Sequence, residues 1–127
     1  MNSPEFLELD VVLFLHDQSI REYGGHHGLR DEALLSSALG RPPHKLEYDA
    51  NADLFDLAAA YAFGISKNHA FLDGNKRSAW AACVLFLKIN DIELHIPAIE
   101  AVETTIALAT SQLTESAFAD WLRNGVA

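Results

Sequence analysis

Residues 68–80 read NHAFLDGNKRSAW and bring His69, Asp73, Gly74, Asn75, Lys76 and Arg77 within nine positions. Each residue type fits one part of phosphate chemistry. An imidazole that titrates near neutrality takes a proton from a hydroxyl nucleophile, a carboxylate holds Mg²⁺, and a Gly-opened helix N-terminus with Asn, Lys and Arg holds phosphate oxygens. Phe71 lies between them as an anchor into the core. Lys76 and Arg77 fall in the first turn of a helix, where unpaired N–H groups and the positive dipole end disfavour a cation by a few tenths to about 1 kcal/mol. A bound anion is the natural compensator. A histidine alone at a helix end is most simply a hydrogen-bonded structural residue. The whole cluster is what points to chemistry.

The other titratable residues offer less. No HExxH occurs among the six histidines, and His16, His26, His27, His44 and His95 show no ligand spacing with cysteine or carboxylates. No phosphate-binding GxxxxGK[ST] pattern is present either. His26 and His27 sit in a glycine-rich loop and read as a solvated turn, and His16 reads as a hydrogen-bonded residue at the core edge. Cys83 lies in an apolar helical stretch and reads as a small buried packing residue.

The elements that must position the cluster follow from hydrophobic period. FLELDVVLFLHDQSIREYGG predicts an amphipathic helix with Leu9, Val12, Leu13, Leu15 and Ile20 on one side, ended by Gly24 and Gly25. Asp31 and Glu32 open a second helix with core residues Leu34, Leu35 and Leu39, which Gly40 and the pair Pro42–Pro43 should stop. RPPHKLEYDAN then predicts an extended flap or hairpin. From Ala52 to Asn68 the positions Leu54, Leu57, Ala58, Tyr61, Ala62 and Ile65 recur at helical spacing and bring His69 close to the same stripe. After the HAFLDG loop, NKRSAWAACVLFLKIND restarts the period and should pack against that central helix. IELHIP reads as a brief extended piece, AIEAVETTIALATSQ as a helix, and Thr114 as the cap of a last one.

The chain has 127 residues, 50% hydrophobic and 21% charged, which predicts one globular domain over residues 1–127. A net charge of −9 argues against a protein that coats nucleic acid, while an acidic surface suits a basic partner. No apolar run is long enough for a membrane span, and MNSPEFLELD lacks the basic-then-apolar order of a signal peptide, so a cytoplasmic location is expected.

HAFLDGNKR resembles the active-site motif of Fic domains, HxFx(D/E)GNGRxxR, and is most similar to the Doc branch, where Lys replaces the second motif glycine. LHDQSIREYGGHHGLRDEALLSSAL also resembles that branch, with its YGG turn and short leucine-rich helix. The resemblance implies an all-α Fic fold in which the motif joins two central helices beside a small flap or β-hairpin at RPPHKLEYDAN. It further implies His69 as general base, Asp73 as the Mg²⁺ ligand, and Gly74, Asn75, Lys76 and Arg77 as the phosphate-holding turn, Lys76 and Arg77 sharing in catalysis.

Two departures from the motif decide the reaction to expect. Lys76 stands where AMP-transferring members have Gly, and Trp80 where they have the last Arg. The second removes a grip on the γ-phosphate in the AMP-transfer orientation. The resemblance to the Doc branch therefore implies ATP bound reversed, its γ-phosphate passing to a threonine of translation elongation factor Tu. It also implies a toxin paired with a Phd-type antitoxin. AMP transfer to a protein hydroxyl and a non-catalytic interaction module are the alternatives. SQLTES, residues 111–116, has the Ser and Glu spacing of the self-inhibitory (S/T)xxxE(G/N) helix of some Fic proteins, but it reads more plainly as a cap around Thr114 and Glu115.

Overall fold

The computed structural model describes residues 3–126 as six helices: α1 (Leu9–Tyr23), α2 (Glu32–Tyr48), α3 (Leu54–Asn68), α4 (Asn75–Ile89), α5 (Ala98–Ala109) and α6 (Glu115–Asn124). The fold is all-α, and its extended pairing among the described residues is limited to the isolated bridges Leu29–Phe71 and Leu94–Val126. The second of these uses part of the stretch IELHIP, where an extended piece was expected.

Helix α3 is the central element. Asp53 and Asp56 close a reciprocal capping box at its start, each carboxylate accepting the other's backbone N–H. A run of small side chains, Ala58, Ala59, Ala60 and Ala62, is buried on nearly all sides, so neighbouring helices approach closely. Helices α2 and α4 pack most extensively on α3, α6 covers it further, and α1 lies against α4. Tyr61, Phe86 and Phe118 are the largest fully buried side chains and join α3, α4 and α6 in one core. Cys83 is fully buried there, and burial pushes its thiol pKa far up, which leaves it inert. Among the described residues no helix is long and apolar enough to cross a membrane.

The expected flap is not extended. Helix α2 continues through Pro42 and Pro43 to Tyr48, so RPPHKLEY is helical and no hairpin forms. An interior proline costs about 3 kcal/mol because its ring crowds the preceding turn and its missing N–H leaves a carbonyl unpaired. Tertiary packing offsets that cost here. Pro42 is fully buried, Leu46 packs on the core, and Arg41 and Lys45 both reach Glu115 of α6, at 2.5 and 2.8 Å. The helix ends where the Asp49 N–H donates to the Lys45 carbonyl.

Candidate active site

Helix α3 delivers its last turn to the motif loop, and His69 is its C-cap, in the left-handed region at φ 50°, ψ 47°. That conformation costs of order 1 kcal/mol for a side chain with a Cβ, though His is among the types that tolerate it best. The imidazole is exposed and makes no hydrogen bond among the described residues; only the backbone of His69 is held. Its carbonyl accepts from Arg30 Nε at 2.8 Å. The loop behind it is braced by residues 28–31, the Arg30 and Asp31 N–H groups donating to the Ala70 carbonyl at 2.7 and 3.0 Å, and the Leu72 N–H to Gly28 at 3.1 Å. Phe71 is buried, as expected of an anchor. Asn75 closes the loop on itself: its Oδ1 accepts the Phe71 N–H and its Nδ2 donates to the Phe71 carbonyl, both at 3.0 Å.

Asp73 presents a half-buried carboxylate held by two backbone N–H groups. Its Oδ1 accepts the Gly74 N–H at 2.8 Å and its Oδ2 the His26 N–H at 3.3 Å, and these bonds hold the carboxyl below its ordinary range. Gly25, at φ 116°, lets the 24–28 loop come this close, since a Cβ there would stand 2.6 Å from Oδ2. Behind Asp73, the His16 ring from α1 stacks on Phe71 at 3.7 Å and 6°, and its Nε2–H donates to the Asp73 carbonyl at 2.7 Å. Burial pulls its imidazole below the usual 6.5, so it is a neutral brace. The hydrogen-bonded core-edge role read from its place in α1 is the one it has. His26 and His27 are exposed as expected, but the turn is tied down, because His27 Nδ1 also pairs with Asp17 at 2.9 Å.

Gly74 caps α4 in the left-handed region, at φ 74°, ψ 21°, without a side-chain cap. The first N–H closed inside the helix is that of Ser78, so the N–H groups of Asn75, Lys76 and Arg77 find no acceptor among the described residues. A left-handed residue followed by helical ones converges such N–H groups into a concave anion nest. Lys76 is exposed beside it and has no hydrogen-bond or ion-pair partner among the described residues. Arg77 is different. Its Nη2 donates to the Gly24 carbonyl at 2.9 Å and its Nη1 reaches the Ser19 carbonyl at 3.5 Å, with the Tyr23 ring 5.9 Å away. The negative end of α1 therefore compensates Arg77 inside the protein, and Lys76 is the first-turn cation without a partner among the described residues.

The structure thus groups Asp73, Gly74, Lys76 and Arg77 about the start of α4, with His69 at the opposite end of the same short loop. The Asn75 side chain is spent on Phe71, and its backbone N–H finds no acceptor among the described residues. The motif pattern did not mark Gly25 and Arg30 as site residues; the Gly24–Gly25 pair beside Tyr23 was the available sign of a close backbone approach. Trp80 packs against Trp121, ring centroids 5.6 Å apart, so its position serves the helix–helix contact. In the SQLTES segment Thr114 caps α6 by accepting the Ala117 N–H at 3.1 Å, and Ser111 contacts Lys67.

Comparison with known proteins places the chain among characterised relatives. The family model described as Fic/DOC family matches residues 6–87. The curated Protein kinase doc of Escherichia phage P1 is 34% identical over 114 residues, covering 90% of each chain. The curated Toxin Doc of Mycolicibacterium smegmatis is 45% identical over 73 residues, covering 57% of this chain and 56% of the relative.

Proposed function

The chain belongs to the Fic/DOC family, and from that premise we propose that it is a Doc-type toxin kinase transferring the γ-phosphate of ATP to a threonine hydroxyl of elongation factor Tu, which arrests translation. The observation that carries this reading is the open N-terminus of α4. Among the described residues it offers three backbone N–H groups without acceptors and a Lys76 ammonium without a partner, a few residues from an exposed imidazole that makes no hydrogen bond there. An exposed base suits a macromolecular hydroxyl, which must be brought to His69 from outside. The alternative AMP transfer would call on a second guanidinium one turn further along α4, and Trp80 has none.

In the proposed reaction His69 takes the proton of the threonine hydroxyl as its oxygen attacks the γ-phosphorus. A new O–P bond forms, the bond from phosphorus to the β–γ bridging oxygen breaks, and ADP leaves. The backbone nest and Lys76 hold the phosphate charge in place, and Arg77 adds to the field while anchored on α1. Phosphoryl transfer asks for this kind of alignment and charge neutralisation more than for covalent chemistry. Among the described residues no three His, Cys, Asp or Glu side chains gather into a metal-binding group. The Asp73 carboxylate would hold the cation, a donor that fits Mg²⁺ shared with phosphates and water. Mg²⁺ held there would neutralise phosphate charge.

The site of action would be the cytoplasm, and the proposal includes a Phd-type antitoxin as the neutralising partner. Intact-mass analysis of purified elongation factor Tu after incubation with the protein, ATP and Mg²⁺ tests the reading. A gain of one phosphate group on a threonine is expected; an unmodified target contradicts it.

A further inference from the structure

We propose that Arg30 is a positioning residue for the base, holding His69 in the left-handed conformation that brings its ring out of line with α3 and into solvent. The inference rests on the reading of His69 as general base. Among the described residues, five of the six helices close at their C-terminus by a cap-residue backbone N–H that donates back into the helix, and α3 has no such bond. Its terminal carbonyls are met by a side chain from elsewhere. Arg30 Nε donates to the His69 carbonyl at 2.8 Å and Nη2 reaches the Asn68 carbonyl at 3.4 Å. A guanidinium is well suited to this place, because it offers a planar fork of donors and a positive charge at the negative end of the helix dipole.

The same residue is fixed by its backbone. The Arg30 N–H donates to the Ala70 carbonyl at 2.7 Å, and Asp31, next in sequence, caps α2 by accepting the Leu34 N–H at 3.2 Å. On the other side, Asn68 Nδ2 donates to the Leu34 carbonyl at 2.8 Å. The start of α2 is therefore a rigid mount, and the Arg30 side chain carries that rigidity to the two residues that end α3. His69 has no side-chain partner among the described residues to orient it. Its backbone conformation, held by Arg30, is what directs the ring.

The test uses Arg30→Ala and Arg30→Lys in the full chain, with two readouts. In transfer assays Arg30→Ala should lower kcat about tenfold and leave KM for ATP within about twofold, because the nucleotide contacts lie on α4. By NMR, the His69 three-bond HN–Hα coupling and Cα and Cβ shifts should move away from left-handed values in Arg30→Ala. Arg30→Lys, which keeps a cationic donor, should restore both readouts in large part. Unchanged His69 backbone signals in Arg30→Ala overturn the proposal, whatever happens to the activity. The NMR readout needs no transfer, so a wild-type protein that modifies no target would end the kinase reading while leaving the role of Arg30 measurable.

Discussion

His69 stands exposed at a helix end, so truncating it removes a proton acceptor without opening a cavity. His69→Ala should therefore lose transfer by about 10²-fold or more while its melting temperature and ATP affinity stay near wild type; assay and calorimetry on one preparation check both. Lys76 poses the converse case. Without a partner among the described residues and in the first turn of α4, its charge is mildly unfavourable until a phosphate arrives. Lys76→Ala should leave the free protein equally or slightly more stable and weaken ATP binding, measured by titration calorimetry. A clear drop in stability without nucleotide would show Lys76 to be structural. The residue types of the candidate site were legible in the sequence, because the motif is short and contiguous. Their division of labour was not. That Asn75 spends its side chain on Phe71, and Arg77 part of its charge on α1, depends on contacts from distant segments.

At the scale of elements, the starts of α2 and α6 were written locally in Asp31 and Thr114, whereas the Asp53–Asp56 capping box of α3 emerges from the structure and α2 runs past its local stop signals. Local chemistry at Gly40, Pro42 and Pro43 says stop, and the packing of Pro42 and Leu46 with the two cations on Glu115 outweighs it. Propensity is a weak prior where tertiary contacts of this kind are available. A second long-range junction makes a prediction about pH. Arg123 of α6 grips Asp53 at 2.8 and 3.0 Å and Asp56 at 2.9 Å, tying the last helix to the first turn of α3. Burial pushes the Asp53 carboxyl up, but the Arg123 hydrogen bonds and the capping bond outweigh it, and its pKa lies below the usual 3.8. A carboxyl depressed by folding contributes stability that is complete above its unfolded value and is lost as pH falls through its folded one. The junction should accordingly weaken only below about pH 4. Arg123→Leu should destabilise by about 1 kcal/mol, the groups being partly solvent-screened, and flatten this acid-side loss in a series of thermal melts.

Across the whole molecule, the helical architecture was legible because each amphipathic stripe had a clear period. The brace from residues 24–31 onto the motif loop was not, since its backbone bonds to Ala70 and Leu72 and the Arg30 and Asp73 side-chain bonds to backbone groups join segments about 40 or more residues apart, which no local pattern encodes. A similar tie fixes the N-terminal segment, where the buried Tyr61 hydroxyl accepts the Leu7 N–H at 2.9 Å and burial raises the phenol pKa to about 12. Tyr61→Phe strands that N–H and should cost about 1–3 kcal/mol in chemical denaturation. The central claim, however, is the direction in which the site uses ATP. It is tested most directly by incubating the protein with Mg²⁺, elongation factor Tu and ATP labelled at either the α- or the γ-phosphate. The open start of α4 with Lys76, and a Trp80 committed to packing, predict label on the target from the γ-position alone. Label from the α-position would contradict the account and make the protein an AMP transferase.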